Sequence, residues 1–181
     1  VVADLPFGSY EASPELALDT SIRFFKESGA MAVKLEGAHI ETIKKLVASG
    51  IPVMGHLGLT PQSMHQLGGY RVQGRTDGDA ILEAALALEA AGAFAIVLEL
   101  VPAELAARIT AALSIPTVGI GAGVNCDAQV LVWTDLMGIT KKAPKLAKAY
   151  RNLRAEMLAA TTEFAEDVRA GNFPTEAQTF N

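Results

Sequence analysis

Five ionisable residues stand late in, or just after, apolar runs of this 181-residue sequence. They are Asp4, Lys34, Glu36, His56 and Glu99. Alternate residues of a strand face the same side of a sheet, so Lys34 and Glu36 should point together if their run is a strand. In parallel α/β proteins the binding site forms where the carboxyl ends of the strands meet. The pattern therefore predicts one shared polar site.

These residue types suit chemistry on an oxo acid. Two carboxylates without a cysteine cluster favour a hard cation such as Mg²⁺ over zinc. A neighbouring lysine can bind a substrate carboxylate or phosphate, and a buried carboxylate can act as a general base. A cation that holds the keto oxygen of a 2-oxo acid would stabilise the enolate left by proton loss. The residue set is therefore typical of metal-assisted enolisation.

Each of these residues also has a purely structural interpretation. Lys34 and Glu36 would form an ion pair inside a barrel, and Asp4 would cap a turn. His56 would be a hydrogen-bonded core histidine. Glu99 is flanked by apolar residues in "AIVLELVP", where a buried carboxylate must be paired, protonated or functional. Both interpretations stay open at the level of the residues.

The elements that would position these residues are six apolar runs, rich in β-branched residues and bounded by Gly or Pro, as buried parallel strands are. The runs are "VVADLPF" (1–7), "MAVKLEG" (31–37), "IPVMGHLG" (51–58), "FAIVLELVP" (94–102), "IPTVGIGAG" (115–123) and "QVLVWTDLMG" (129–138). Amphipathic helical patterns lie between the runs, and a C-terminal pattern over 143–171 predicts one or two long helices ending at Gly171. The first helix has Ser13 as its predicted N-cap and Gly29 at its end.

This alternation predicts a parallel sheet with right-handed crossovers. A helix end followed by a strand start recurs in "ESGAMAVKL", "ASGIPVMGH", "EAAGAFAIVL" and "ALSIPTVGI", as in a (β/α) barrel. An eight-stranded barrel typically needs about 250 residues. Either the sheet is open and doubly wound, or two βα units are absent from this chain. No linker is visible, so we predict a single domain over residues 1–181, with a long and functional loop over 58–79.

Composition excludes several function classes. The net charge of −5 and the pI near 5.2 disfavour a nucleic-acid or anionic-membrane partner. Cys126 is the single cysteine, which fits a reducing, cytoplasmic setting without disulfides. No apolar run approaches the roughly 20 residues of a membrane span, and no signal peptide is visible. The apolar start without Met leads us to expect that an N-terminal segment is missing.

Several segments, in this order, closely resemble the ketopantoate hydroxymethyltransferase family. They are "ADLPFGSY", "AVKLEG", "PVMGHLGLTPQS", "GGYRVQGR", "ALALEAAGAFAIVLELVPAELA", "IPTVGIGAG" and "CDAQVLVWTDLMG". The resemblance covers nearly the whole chain. It implies a (β/α)₈ TIM-type barrel, of which this chain supplies about six strands, and it implies bound Mg²⁺. The implied reaction, in pantothenate biosynthesis, transfers a hydroxymethyl group from 5,10-methylenetetrahydrofolate to 3-methyl-2-oxobutanoate and forms 2-dehydropantoate.

The resemblance also implies a role for each candidate residue. Asp4 would be a metal and substrate ligand, and Glu36 the second carboxylate of the metal site. Lys34 would bind the substrate carboxylate, and His56 would line the same pocket. Glu99 would accept the proton. The implied partners are a small 2-oxo acid, a folate and further copies of the chain in a homo-oligomer, a decamer in this family.

Departures from the family pattern keep two other functions open. The family has two further βα units before "ADLPF", with a "GDS"-type motif whose aspartate is a main metal ligand, and both are absent from this sequence. This chain would then be a catalytically incomplete scaffold. The other alternative is a Mg²⁺-dependent carbon–carbon lyase of the isocitrate lyase and phosphoenolpyruvate mutase type. Such lyases usually carry a "KKCGH"-like loop, which this sequence lacks.

Overall fold

A computed structural model describes residues 1–180 of the chain. Six parallel strands form one sheet: β1 (Val2–Asp4), β2 (Ala32–Lys34), β3 (Val53–Gly58), β4 (Ala95–Glu99), β5 (Thr117–Ile120) and β6 (Ala128–Gln129). The helices are α1 (Pro14–Ser28), α2 (Ile40–Ala48), α3 (Gly78–Ala90), α4 (Ala103–Ala112), α5 (Trp133–Leu136) and α6 (Leu153–Ala170). Short 3₁₀ turns cover Pro61–Ser63 and Glu176–Gln178.

The strand order distinguishes between the two predicted architectures, an open doubly wound sheet and a (β/α) barrel. A doubly wound sheet reverses its strand order at a switch point. Here the order β1-β2-β3-β4-β5-β6 follows the chain without reversal, as it does in a (β/α) barrel. The predicted α/β fold, with about six barrel-type strands supplied by this chain, is confirmed.

The two faces of the strands divide as the alternation predicts. Val33 and Leu35 are fully buried in the apolar core, which also contains residues of α1 to α4. Lys34 and Glu36 alternate with them along the chain and line a cavity instead. The core therefore fixes the orientation of β2 and of the residues just after it, which carry both charges.

Helix α1 begins and ends at the predicted residues. The Ser13 hydroxyl accepts a hydrogen bond from the backbone N–H of Leu16 at 3.1 Å. Gly29 follows the helix with a left-handed φ of 70°. Because glycine has no Cβ, it adopts this conformation with little strain and ends the helix.

Two boundaries predicted from the sequence are wrong. Of the run over 129–138, only Gln129 belongs to a strand, β6 (Ala128–Gln129), and Trp133–Leu136 is helical because the Met137 N–H bonds to the Trp133 carbonyl. The C-terminal helix begins at Leu153 and not near residue 143. Its start is set by Asn152, whose side chain accepts from the Ala155 N–H at 3.2 Å.

The chain divides into two compact units. The first covers Val1–Val130 and contains the sheet with α1 to α4, and the second begins at Leu131 and contains α5 and α6. This division does not test the predicted single domain over 1–181, which stays a prediction.

Among residues 1–180, none of the helices combines the length and apolar character needed to cross a membrane.

Candidate active site

All five ionisable residues singled out in the sequence line one cavity of about 510 Å³ in the first unit. The parallel register explains why they meet. Asp4 pairs directly with Lys34 across β1 and β2, and Glu99 pairs with Gly58 across β3 and β4. His56 lies two residues before Gly58 on β3, so all of these residues lie towards the carboxyl ends of neighbouring strands. The shared polar site is therefore present, while the individual roles stay predictions.

Lys34 is the central cation of the site. Its Nζ atom lies 2.8 Å from Asp4 Oδ1 and 3.1 Å from His56 Nδ1. The Lys34 side chain is 17% exposed and that of Asp4 is 51% exposed, so the ion pair opens towards solvent on the aspartate side. An ammonium group has three donors. Among the described residues Asp4 and His56 occupy two of them, which leaves the third for a ligand.

His56 has a defined tautomer because of Lys34. The ammonium group can only donate, so His56 Nδ1 must accept and a neutral ring carries its proton on Nε2. Nε2 lies 3.2 Å from Glu99 Oε2, but the direction of the N–H bond does not give a hydrogen bond. Within the described part of the chain, this buried nitrogen has no hydrogen-bond partner. The site therefore presents a free N–H beside the Glu99 carboxylate.

Glu36 is buried just beyond the end of β2, and its side chain is 4% exposed. Burial raises its pKa above the ordinary value, although the hydrogen bond from the Gln62 N–H and the charge of Lys34 favour the ionised form. The Gln62 N–H donates to Oε2 at 2.9 Å. The other oxygen, Oε1, lies 3.9 Å from His56 Nδ1, which is too far for a hydrogen bond.

Glu99 ends β4, and its side chain is 13% exposed. The next residue, Leu100, has a φ of 45°, which is unusual for a residue other than glycine and indicates local strain. Leu100 is held on both sides, because its N–H donates to the Ile120 carbonyl and its carbonyl accepts from the Gln73 N–H, both at 2.9 Å. The backbone that carries Glu99 is therefore tightly constrained.

Two site residues are absent from the sequence-based candidates. The Tyr10 hydroxyl donates to Gln62 Oε1 at 2.7 Å and accepts from the Glu36 N–H at 3.3 Å. Gln62 lies in the long loop predicted to be functional and in the family-like segment "LTPQS", and these two signals could have identified it. Tyr10 is 2% exposed, and burial raises its pKa to about 12. No charge or strand periodicity marks either residue in the sequence.

The remaining wall of the cavity is apolar. Apart from Gln62, it consists of Pro61, of five residues from β1, β3, β4 and β5, and of one residue just after β6: Val2, Met54, Val97, Val118, Ile120 and Val130. Ile120 pairs with Glu99 across β4 and β5. A ligand with a charged end and a branched aliphatic end would therefore match both sides of the cavity.

Asp4 and Glu36 are the residues that could hold a metal ion. Within residues 1–180, no three His, Cys, Asp or Glu side chains cluster as a metal site would require. Mg²⁺ in proteins usually keeps several waters and uses one or two carboxylates, so two carboxylates match its chemistry. Glu36 lines the cavity, and its Oε1 atom, which lies too far from His56 Nδ1 for a hydrogen bond, offers an oxygen ligand. The donor set fits Mg²⁺.

The chain is similar to known proteins in its sequence. The family model of ketopantoate hydroxymethyltransferase matches residues 1–176. A 3-methyl-2-oxobutanoate hydroxymethyltransferase of Acidothermus cellulolyticus is 59% identical over 99% of this chain and 68% of its own length. Those of Thermobifida fusca and Frankia alni are 55% and 59% identical, over 99% and 97% of this chain. The chain spans 66% and 59% of the lengths of these two relatives.

One solved structure supports the fold. The Amycolatopsis orientalis BexX/CysO complex matches 96% of this chain and 70% of its own with a TM-score of 0.52. The sequence identity is 16%, so this likeness concerns the fold alone.

Proposed function

Because the chain belongs to the ketopantoate hydroxymethyltransferase family, we propose that the protein transfers a hydroxymethyl group to 3-methyl-2-oxobutanoate. The donor in this proposal is 5,10-methylenetetrahydrofolate and the product is 2-dehydropantoate. In the net reaction, the C3–H bond of the oxo acid and the two bonds from the methylene carbon to the folate nitrogens break, and a new bond joins C3 to that carbon. Water supplies the hydroxyl oxygen, and tetrahydrofolate leaves with one proton from C3 and one from water on its two nitrogens. The observation that carries the proposal is the convergence of Asp4, Lys34, Glu36, His56 and Glu99 on one cavity.

Lys34 and His56 would bind and orient the oxo acid. The third donor of the Lys34 ammonium is available for the substrate carboxylate, and the two pairs made to Asp4 and His56 hold the ammonium in place. The free Nε2–H of His56 supplies a second donor within the same cavity. Charge-assisted hydrogen bonds of this kind both attract and align a carboxylate.

Glu99 would take the proton from C3. Its carboxylate is largely shielded from water and lies beside Ile120, where an isopropyl group would find apolar contact. A base held next to the reacting carbon gains from its fixed orientation as well as from its basicity. The constrained backbone at Leu100 supports that orientation.

Asp4 and Glu36 would hold Mg²⁺, with waters completing its coordination. When bound, the cation would stabilise the negative charge that develops as the C3 proton leaves. Homo-oligomeric assembly, which the family resemblance implies, and a cytoplasmic setting, which the single cysteine Cys126 favours, are parts of the same proposal. Family membership favours this reaction over that of the carbon–carbon lyase.

The first half of the reaction can be tested without folate. The purified protein, with Mg²⁺ and 3-methyl-2-oxobutanoate in D₂O, should exchange the C3 proton, which ¹H NMR follows directly. Glu99→Gln should slow the exchange by about 10²- to 10⁴-fold, the usual contribution of a general base. Calorimetry should show that the variant still binds the oxo acid. Unchanged exchange in Glu99→Gln would refute the assigned base, and no exchange by the wild type would instead support the incomplete scaffold.

The second half requires the folate. After 5,10-methylenetetrahydrofolate is added, mass spectrometry should detect 2-dehydropantoate in the wild-type reaction. Exchange at C3 without any product after folate addition would contradict the transferase and retain only the enolisation step.

A further inference from the structure

Gln62 connects the two strand ends that carry the carboxylates of the site. Its side-chain Nε2 donates to the Leu5 carbonyl at 2.9 Å, one residue after Asp4. Its backbone N–H donates to Glu36 Oε2, also at 2.9 Å. One residue of the β3–α3 loop therefore contacts both the end of β1 and the carboxylate that follows β2.

Tyr10 completes this arrangement from the loop after β1. Because its hydroxyl accepts from the Glu36 N–H, its own proton is free to go to Gln62 Oε1. The Leu5 carbonyl can only accept, so the NH₂ end of the Gln62 amide must face it. Both ends of the amide are thus fixed by partners of opposite hydrogen-bonding character.

The fixed position of Gln62 determines how the carboxylate of Glu36 is held. A buried carboxylate needs partners, and Oε2 receives its hydrogen bond from Gln62. With Oε2 held in this way, Oε1 has one defined direction, on the side of His56. Without the contacts to Leu5 and Tyr10, the loop that carries the Gln62 N–H would lose the side-chain anchors that hold it against β1 and β2.

We propose that Gln62 and Tyr10 are positioning residues that hold Glu36, and the chain next to Asp4, in the geometry needed for cation and oxo-acid binding. This inference rests on the proposed function, because it takes Asp4 and Glu36 as the cation ligands. Groups that orient metal ligands typically contribute 10- to 100-fold to affinity or activity.

The test uses Gln62→Met, which keeps the backbone N–H and much of the side-chain volume but removes the bonds to Leu5 and Tyr10. Mn²⁺ serves as the probe, and electron paramagnetic resonance measures its dissociation constant in the presence of 3-methyl-2-oxobutanoate. We expect this constant and the KM of the oxo acid in the exchange reaction to rise about 10-fold. The exchange kcat should change less than 3-fold, an order-of-magnitude expectation if Glu99 and not Glu36 removes the proton.

Tyr10→Phe gives a milder second variant. It removes the bond to Gln62 Oε1 and the bond accepted from the Glu36 N–H but leaves those from Gln62 to Leu5 and Glu36, so we expect about a 3-fold rise in the Mn²⁺ dissociation constant. The double variant should bind more tightly than the product of the two single effects predicts, because both changes remove the contact between Tyr10 and Gln62. The matched control is Gln66→Met in the same loop, where the side chain is exposed and the dissociation constant should not change.

Melting temperatures separate positioning from general stability. A lower melting temperature with unchanged Mn²⁺ binding and KM, measured where every variant is folded, would show a purely structural role and overturn the inference. Failure of both variants to fold would do the same. A wild-type protein that neither binds Mn²⁺ nor exchanges the C3 proton would instead refute the proposed function. If the wild type does both and Gln62→Met leaves both unchanged, only the positioning role is refuted.

Discussion

Lys34 Nζ lies 3.1 Å from His56 Nδ1, and this contact places the proton of the neutral imidazole on Nε2. The two residues are 22 positions apart in the sequence and on adjacent strands. The same ammonium group pairs with Asp4 at 2.8 Å. One cation thus orders both a carboxylate and an imidazole in the cavity.

We expect Lys34→Met to release the tautomer of His56. Nitrogen-15 NMR of the imidazole should show the Nε2–H form in the wild type and a mixture of both forms in the variant. The carboxylate of the oxo acid would also lose its proposed hydrogen bond to the Lys34 ammonium. Loss of a hydrogen bond to a charged group costs about 1.5 to 3 kcal/mol, so the KM of the oxo acid should rise about 10- to 150-fold. The control is Lys44→Met, which removes an exposed pair with Glu41 on α2. An unchanged tautomer in Lys34→Met would contradict the prediction.

Gly58 allows β3 to approach the end of β4. Its φ is 91°, and an added Cβ would collide with the carbonyl oxygen of Glu99 and with the side chain of Val101. We expect Gly58→Ala to destabilise the protein by about 3 kcal/mol or more, from strain together with overpacking, as measured by urea unfolding. Gly50→Ala is the matched control, because Gly50 has a similar φ of 83° but no atom within 4 Å of an added Cβ.

The control should lose only about 1 to 2 kcal/mol, the cost of a left-handed alanine. Equal losses in the two variants would show that the approach to Glu99 is not tight. The proton exchange rate of Gly58→Ala should also fall, because the carbonyl that must move belongs to the proposed base.

Tyr10 should make stability depend on pH in the alkaline range. Burial raises its folded-state pKa to about 12, above the value of about 10 in an unfolded chain. The stabilisation from the protonated phenol is therefore complete below about pH 10 and is lost as the pH rises towards 12. Denaturant unfolding should show this loss, at most about 3 kcal/mol, in the wild type but not in Tyr10→Phe. Tyr70→Phe, at an exposed tyrosine, should retain the wild-type slope.

Asp127 should make stability depend on pH in the acid range. Its carboxylate accepts hydrogen bonds from the Thr117 N–H at 2.8 Å and from the Thr117 hydroxyl at 3.0 Å, and these bonds lower its pKa. The stabilisation is therefore present above the unfolded pKa and is lost as the pH falls through the lower folded pKa. Asp127→Asn should show a shallower loss of stability in acid, measured by thermal unfolding between pH 5 and about pH 2. Identical slopes in the two proteins would contradict this role.

The sequence alone predicted the strands and the location of the site. Val33 and Leu35 alternate with Lys34 and Glu36, and a period of two places these pairs on opposite faces of a strand. The carboxyl ends of parallel strands lie at one edge, so late polar residues on successive runs could be expected to meet. The start of α1 just after Ser13 was also predictable, because only neighbours in the chain take part in the N-cap hydrogen bond.

Boundaries were less predictable where local signals compete. The run over 129–138 is apolar and rich in strand formers, but its second half forms the helical turn Trp133–Leu136. Periodicity cannot separate a buried strand from a short helix over so few residues. The start of α6 at Leu153 depended on the Asn152 cap, which lies inside a continuous helical pattern of the sequence.

The sequence by itself determined which residue types reach the edge of the sheet, because alternation and strand direction are local properties of the chain. Only the tertiary structure decided which atoms meet there. Gln62 bonds to Leu5 across 57 positions and to Glu36 across 26, and both contacts involve loops whose paths no periodicity describes. The free Nε2–H of His56 likewise follows from one contact between strands. Whether two polar groups form a hydrogen bond depends on their orientation and on a few tenths of an ångström in their separation. Packing sets both quantities, and sequence spacing does not.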